Sequence, residues 1–307
     1  MDISGEPQPA VAAVLQQFRA ERPLRGGSLL MTLFGDAIAP RGARISLASL
    51  IGLARPFGLA ERLVRTSVAR LAAEGWLRAV RRGRVSEYRL TDTGRGVFAE
   101  ATQRIYAANP TDWDGRWTLL VVPPGRGVRS ALRERLRWLG FGEPAPGVFL
   151  HPSGCVAQAR QCLAPEQIED GWLFTSSSEG PASDRQLVAA AWDLGDIARR
   201  YRRWHDAFAP LDASDRSASL TPQNAFVVRT LLIHEYRKIH LRDPLLPPSL
   251  LPEGWIGADA YSLCRRLYAA VFPAAEAYLR EQGATLDGPL PPPGPEVFAR
   301  FGGLPCP

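Results

Sequence analysis

The chain has little cysteine, almost no lysine and no long apolar run. Its four cysteines are Cys155, Cys162, Cys264 and Cys306. None of them form a CxxC pair, so the sequence predicts neither a structural zinc site nor a disulfide framework, and reduced thiols are typical of a cytosolic protein. No segment approaches the ~20 apolar residues of a membrane-spanning helix. Asp2 and Glu6 lie where a signal peptide would carry bases. We therefore expect a cytoplasmic protein without a membrane partner.

The positive charge is concentrated in one segment. Arginine supplies almost all of it, because Lys238 is the only lysine. The whole chain has a net charge of +6, yet residues 24–106 hold 14 arginines against six acids, a net charge of +8. The net charge is −1 for residues 1–23 and −1 for residues 107–307. A basic segment on a nearly neutral body is typical of a protein that binds a polyanion such as DNA.

The basic segment, residues 24–108, has the pattern of a winged helix-turn-helix. Apolar residues at helical spacing predict helices at about 27–39, 46–55, 60–74 and 92–106. Gly75 is placed to end the third helix, since glycine favours the position just past a helix. Residues 85–90 alternate like a strand, and Arg81–Arg84 lies before them as a basic hairpin tip.

The third predicted helix carries hydrogen-bond donors opposite its apolar stripe, as a helix in the major groove requires. The residues expected to face DNA on this helix are Arg62, Arg65, Thr66, Ala69 and Arg70. Arginine can donate two hydrogen bonds to guanine, whereas a basic hairpin tip suits phosphates or the adjacent minor groove. The tip contributes Arg81, Arg82 and Arg84. The alternative for any one arginine is a plain solvated side chain.

Residues 112–182 change to alternating strands and helices. Strands are predicted at about 117–122, 141, 147–150 and 172–175, and helices at about 128–139 and 156–163. This βαββαβ order predicts a ferredoxin-like middle domain.

Residues 183–285 predict a helical C-terminal domain. The helices are expected at about 184–208, 221–241 and 259–281, the last interrupted at Pro273. Thr221 and Pro222 suit the N-cap and first position of the second helix. Residues 286–307 form a Pro/Gly-rich tail, in which 289–295 predicts an extended spacer.

Several short motifs occur in order along almost the whole chain. They are Glu61-Arg62-Leu63-Val64-Arg65-Thr66, Glu74-Gly75-Trp76-Leu77, Trp113-Asp114-Gly115-Arg116-Trp117, Leu232-Ile233-His234, Asp243-Pro244-Leu245-Leu246-Pro247 and Arg300-Phe301-Gly302-Gly303-Leu304. Together they resemble the PaaX family of bacterial repressors of phenylacetate catabolism. The resemblance implies an α+β multidomain protein with the three domains above. It also implies a homodimeric repressor that phenylacetyl-coenzyme A releases from operator DNA.

The effector that the resemblance implies needs cations for its phosphates and an apolar slot for its acyl group. The residues predicted to bind it are Arg229, His234, Tyr236, Arg237, Trp192 and Trp255. The first four share one predicted helix, and the tryptophans could supply apolar walls. The alternative is that these side chains only hold helices together.

Enzyme signatures are incomplete. His234-Glu235 begins like HExxH, but His240 follows six residues later instead of four, so the pair that grips zinc is missing. A metal-dependent nuclease with a ferredoxin-like domain would need a carboxylate at the end of its first strand, where the chain has Val121-Val122-Pro123-Pro124. We predict a regulator without catalytic residues, metal or cofactor. The alternatives are an activator of the same fold that responds to another aromatic acyl-coenzyme A, and such a nuclease.

Overall fold

The computed structural model contains both helices and sheets, arranged in two compact units. It describes residues 8–21, 26–107, 112–122, 130–152, 156–163, 171–212 and 220–304. Unit 1 comprises Met1–Ala107, Arg203–Arg237 and Ala260–Pro307. Unit 2 comprises Ala108–Arg202 and Lys238–Asp259. No helix within the described ranges is long and apolar enough to cross a membrane.

Among the residues that the structure describes, five α-helices lie in the N-terminal part of unit 1. They are α1 Pro9–Ala20, α2 Gly26–Leu33, α3 Leu47–Ala54, α4 Glu61–Ala73 and α5 Asp92–Tyr106. The last four confirm the helices predicted for the basic segment. After α2 the chain continues through a π-helical turn, Phe34–Ile38, and a short 3-10 helix, Ala39–Arg41. The sequence prediction missed α1, whose buried face includes Val11 and Phe18.

The ends of these helices follow from local capping. The Ser46 hydroxyl accepts a hydrogen bond from the Ser49 backbone N–H at 3.2 Å, and Thr91 caps α5 in the same way through Gly94. Gly75 has φ of +79° after α4, and the next backbone N–H, that of Trp76, reaches the Leu71 carbonyl at 2.9 Å. This is the Schellman arrangement, which satisfies carbonyls at the end of a helix.

A three-stranded antiparallel sheet completes the basic segment. The strands are β1 Arg44–Ser46, β2 Leu77–Arg82 and β3 Val85–Leu90, in the order β1-β3-β2. Arg82 pairs with Val85, so a two-residue turn of Gly83 and Arg84 joins β2 to β3. The predicted basic hairpin tip is thereby confirmed.

The centre of unit 2 is a four-stranded antiparallel sheet in the order β5-β6-β4-β7. Its elements along the chain are β4 Trp117–Val121, α6 Ser130–Trp138, β5 Gly142–Ala145, β6 Val148–His151, α7 Val156–Leu163 and β7 Trp172–Ser176. The predicted order of elements is confirmed, although the predicted start of the first helix at residue 128 lies outside the described residues. Leu120 packs with side chains of α6 and α7. Trp117 belongs to a second apolar cluster, which also contains Val188 and Leu246.

In the described part of the chain, four further α-helices follow, which are α8 Pro181–Ala191, α9 Leu194–Phe208, α10 Pro222–His240 and α11 Ile256–Gln282. The prediction of one helix over 184–208 was wrong, because Trp192 is extended and the Asp193 carboxylate accepts a hydrogen bond from the Asp196 N–H at 2.8 Å, which starts a new helix. The predicted interruption at Pro273 was also wrong. The helix continues through it, with the buried side chains of Phe272 and Ala275 on either side.

The C-terminal tail packs into unit 1. It contains a short hairpin, β8 Ala284–Thr285 and β9 Gly288–Pro289, followed by two 3-10 turns. Val297 and Phe301 are fully buried, and the Gly294 N–H donates to the Pro40 carbonyl at 2.8 Å. Apolar side chains that follow residue 295 therefore anchor the tail. Residues 290–294 form neither helix nor strand, and the predicted extended spacer at 289–295 stays a prediction. The predicted domain boundaries 24–108, 112–182, 183–285 and 286–307 stay predictions, since the two units group residues by contact alone.

Candidate nucleic-acid interface

Helix α4 separates an apolar face from an exposed polar face. Val64, Val68 and Leu71 are buried, each 3% exposed or less. The predicted DNA-facing residues of this helix all lie on its exposed side, namely Arg62, Arg65, Thr66, Ala69 and Arg70. Helical periodicity places them together because positions three, four and seven apart share a face. The geometry that a groove-binding helix requires is therefore present, and the contact of these residues with DNA stays a prediction.

Several polar side chains on this face interact within the helix. Arg65 donates to Glu61 at 2.8 Å, and Arg70 lies 3.4 Å from Glu74. The Thr66 hydroxyl donates to the Arg62 carbonyl at 2.8 Å. Exposed pairs at this spacing add little stability. Both arginines can therefore exchange a carboxylate for a phosphate or a base edge at small cost.

Helix α1 supports the turn that precedes α4. Its Arg19 donates to the carbonyl of Pro56 at 2.9 Å and to that of Phe57 at 3.4 Å. The rings of Phe18 and Phe57 pack edge to face with centroids 6.4 Å apart. A helix that the sequence prediction missed therefore fixes the start of the candidate recognition helix.

The basic hairpin tip is exposed and is partly engaged by the tail. The predicted DNA-binding side chains Arg81, Arg82 and Arg84 are all exposed. Arg82 lies 3.0 Å from the Asp287 carboxylate and donates to the Leu286 carbonyl at 3.2 Å. Asp287 also pairs with Arg44, and hydrogen bonds from both arginines hold its pKa below the usual range. Sequence reasoning missed this contact because Asp287 and Arg82 are 205 residues apart.

A second contact joins the same two parts of the chain. The buried Glu87 carboxylate on β3 accepts hydrogen bonds from the Leu286 backbone N–H at 2.7 Å and from Arg89 at 2.5 Å. The turn between β8 and β9 is thus held against the sheet that carries the basic tip.

Within unit 1, Asp36 is the centre of a buried ionic cluster. It lies in the π-helical turn and accepts hydrogen bonds from Arg229 at 2.8 Å and Arg300 at 2.9 Å. The hydroxyls of Tyr106 and Tyr268 each donate to it at 2.7 Å. Burial raises the pKa of Asp36, but the two arginines and the hydroxyls outweigh burial and hold the pKa at about 2.

Glu276 extends this cluster. It accepts a hydrogen bond from Arg229 at 2.5 Å and pairs with Arg41, so three arginines face two acids. Burial raises the pKa of Glu276, but Arg229 and Arg41 lower it below its usual range. Sequence analysis missed the cluster, although one signal existed. Asp36 is an acid within the apolar stretch from Leu29 to Ile38.

Four of the predicted effector-binding residues lie on α10 in unit 1. Arg229, His234 and Tyr236 are fully buried. His234 lies 2.9 Å from the Thr32 hydroxyl, and the Tyr236 ring packs on Trp204 with centroids 5.3 Å apart.

The fourth, Arg237, donates to the Thr32 hydroxyl at 2.7 Å and to the Ser28 carbonyl at 2.7 Å. Contacts of this kind hold helices together, as the alternative interpretation of these four residues expects. An effector role for the four residues stays a prediction.

The other two predicted effector-binding residues, Trp192 and Trp255, lie in unit 2. Both pack against the apolar cluster around Trp117. Trp192 stacks on Trp117 with centroids 6.3 Å apart, and Trp255 meets Tyr201 edge to face at 6.4 Å. Their effector role likewise stays a prediction. Across the described ranges, no group of three or more His, Cys, Asp or Glu side chains could hold a metal ion.

Comparison with known proteins places the chain in a family. Residues 25–94 match the family described as PaaX-like protein, and residues 110–188 match the PaaX protein central Cas2-like domain. Residues 192–281 match the PaaX-like protein C-terminal domain. The chain is 38% identical over 289 residues to the transcriptional repressor PaaX of Escherichia coli (strain K12), covering 92% of each chain. The chain belongs to the PaaX family.

A solved structure supports the fold. An uncharacterized protein of Mycobacterium tuberculosis, Rv0674, superimposes with a TM-score of 0.51 at 24% sequence identity. The match covers 81% of this chain and 95% of that protein. At this identity the similarity concerns the fold alone. The two proteins therefore share a mixed helix-and-sheet fold.

Proposed function

We propose that this protein is a DNA-binding transcriptional repressor of phenylacetate catabolism that phenylacetyl-coenzyme A releases from its operator. The observation that carries the proposal is the exposed basic face of α4 beside a basic hairpin tip. The similarity to a transcriptional repressor over 92% of the chain supports it. A cytoplasmic location and a DNA partner accompany this function.

The N-terminal elements fit a winged helix-turn-helix. Helices α3 and α4 are joined by a short turn, and the hairpin of β2 and β3 is the wing. In this arrangement α4 lies in the major groove and the wing contacts phosphates or the minor groove. A homodimer would place two such modules on half-sites one helical turn apart, or a multiple of that spacing.

The strand order and βαββαβ succession of unit 2 fit a ferredoxin-like domain. We assign it a role in dimerisation. The second candidate is a metal-dependent nuclease built on this ferredoxin-like domain, although β4 itself carries no carboxylate. Incubation with DNA and a divalent cation tests that candidate. The position of the binding site relative to the promoter distinguishes a repressor from an activator.

Arg65→Ala is expected to weaken binding to the operator by about 1–3 kcal/mol and to relax sequence specificity. The reason is loss of a side chain that can donate two hydrogen bonds to one guanine. Gel-shift titrations with operator and random DNA measure both effects. Arg65→Lys is the matched control, because it keeps the charge but not the paired donors. Unchanged discrimination in both variants would remove Arg65 from base recognition.

Asp287→Asn is expected to tighten binding to all DNA sequences a few-fold, because it releases Arg44 and Arg82 from an exposed pair. The dependence of log affinity on log salt should steepen by up to about 0.9 for each arginine that gains a phosphate. Fluorescence anisotropy with random DNA at several salt concentrations measures this. Weaker binding would show instead that Asp287 holds these arginines in their DNA-binding orientation.

A further inference from the structure

One face of the three-stranded sheet in unit 1 carries arginines from all three strands. Cross-strand partners share a face, and the register places Arg44 of β1 and Arg78 of β2 on either side of Arg89 of β3. Arg82 lies on the same face, because it pairs with Val85, which is four residues from Arg89 on one strand. The opposite face contributes the buried side chains Ile45, Leu77 and Leu90. The outer face is therefore a basic surface that extends beyond the predicted hairpin tip.

The turn between β8 and β9 presents an acid to this basic surface. Thr285 pairs with Gly288, so Leu286 and Asp287 are the two residues of the turn. The Thr285 hydroxyl accepts a hydrogen bond from the Asp287 N–H at 3.2 Å and donates one to the Gly288 carbonyl at 3.1 Å. Gly288 has φ of +135°, which residues with a side chain rarely adopt. The turn therefore has a defined conformation of its own.

The backbone of this turn is attached to the sheet without the help of the Asp287 side chain. The Leu286 N–H donates to the Glu87 carboxylate at 2.7 Å, and Glu87 is fully buried. Arg82 donates to the Leu286 carbonyl at 3.2 Å. Because these bonds involve Leu286 alone, the Asp287 carboxylate can leave its partners while the turn stays in place.

Two arginines from different strands converge on the Asp287 carboxylate. Its Oδ1 lies 3.0 Å from Nη2 of Arg82, and its Oδ2 pairs with Nη1 of Arg44. The side chains of Asp287 and Arg82 are 44% and 66% exposed, so an anion from solvent can reach this site. Exposed ion pairs of this kind contribute about 0–1 kcal/mol. The two arginines can therefore exchange the carboxylate for another anion at small cost.

We infer that Arg44 and Arg82 form a binding site for a DNA-backbone phosphate, and that Asp287 fills this site as an internal competitor when no DNA is bound. The inference rests on the proposed function and adds Arg44 to the residues that contact DNA. A phosphate offers anionic oxygens to both guanidinium groups, as the carboxylate does. Since Asp287 competes with a phosphate of any DNA sequence, it lowers affinity for every sequence alike and leaves base recognition to α4.

A double-mutant cycle tests whether Asp287 acts through these two arginines. Asp287→Asn is made in the wild type and in the Arg44→Ala/Arg82→Ala background. Glu281→Gln is the matched control in both backgrounds, because it removes the same charge from an exposed position of α11. Fluorescence anisotropy of the full chain with a random-sequence duplex, at several salt concentrations, measures the affinity. Thermal melting verifies folding, and Arg44→Gln replaces Arg44→Ala if the alanine variant melts at a lower temperature.

Asp287→Asn is expected to tighten binding to random DNA about three- to tenfold in the wild type, and more than Glu281→Gln does. Without the two arginines, Asp287→Asn should have no more effect than the control. Arg44→Ala alone should weaken binding and flatten the slope of log affinity against log salt by up to about 0.9.

Two results would overturn this site but leave the proposed function intact. The first is an equal effect of Asp287→Asn with and without the arginines, which would make Asp287 a distant charge only. The second is an Arg44→Ala variant with the affinity and salt slope of the wild type. Failure of the wild type to bind any DNA would contradict the proposed function itself.

Discussion

Asp36→Asn is expected to lower the free energy of unfolding by about 3–5 kcal/mol, because it breaks a buried ion-pair network from one side. The substitution leaves Arg41, Arg229 and Arg300 buried with Glu276 as the remaining acid of the cluster. Denaturation with urea at pH 7, followed by tryptophan fluorescence, measures the loss. This loss of unfolding free energy should exceed the loss caused by an exposed substitution such as Arg65→Ala or Asp287→Asn.

Low pH should lower the free energy of unfolding of the wild type more than that of the Asp36→Asn variant. The pKa of Asp36 is about 2 in the folded protein and 3.8 in its ordinary state, so the unfolded chain binds this proton more readily. The stability that the carboxylate contributes is therefore complete above about pH 4 and is lost as the pH falls toward 2, by roughly 2–3 kcal/mol. Asp36→Asn should lack this part of the acid sensitivity.

Asp184→Asn provides the control. Asp184 is also buried, but it accepts hydrogen bonds from Trp117 at 2.9 Å and Ser178 at 2.6 Å, and it has no arginine partner among the described residues. An amide oxygen can accept the same bonds, so the expected cost is about 0.5–1.5 kcal/mol. Equal stability losses in the two variants would contradict the importance of the charge on Asp36.

Replacing Arg81, Arg82 and Arg84 together with alanine is expected to weaken binding to every DNA sequence. These exposed side chains would release counterions from phosphates, so their loss should flatten the slope of log affinity against log salt by up to about 2.7. Discrimination between operator and random DNA should change much less, because phosphate contacts carry no sequence information directly. Anisotropy titrations at a series of salt concentrations give both quantities.

The matched control replaces Arg199, Arg200 and Arg202 with alanine. These arginines are exposed on α9, outside the basic segment, and the change removes the same three charges. The control should leave the salt slope close to that of the wild type. Equal slopes for the wing variant and the wild type would contradict the role of the wing.

Local patterns predicted the elements of the candidate interface well. Val64, Val68 and Leu71 repeat at helical spacing and Gly75 follows them, so α4 could be bounded from its own sequence. The exposed arginine face then follows from the same periodicity. The break at Trp192 could not be found in this way, because it depends on whether Asp193 caps the following helix.

Contacts between distant segments could not be predicted from these patterns. Asp36 and Arg229 are 193 residues apart, and only the folded chain brings them together. The tail was assigned from its proline and glycine content, yet Val297 and Phe301 are buried on a surface that other segments supply. Composition indicates only the conformational flexibility of a segment by itself. Its burial depends on the apolar surfaces of the other segments against which it packs.

The most direct test is a titration of phenylacetyl-coenzyme A against the protein bound to DNA from its own gene neighbourhood, with free phenylacetate in parallel. Our account predicts that the protein prefers this DNA over random sequence, that phenylacetyl-coenzyme A releases it, and that phenylacetate does not. A complex that neither compound changes would contradict the effector assignment. Equal affinity for this DNA and for random sequence would contradict the assignment of the protein as a repressor.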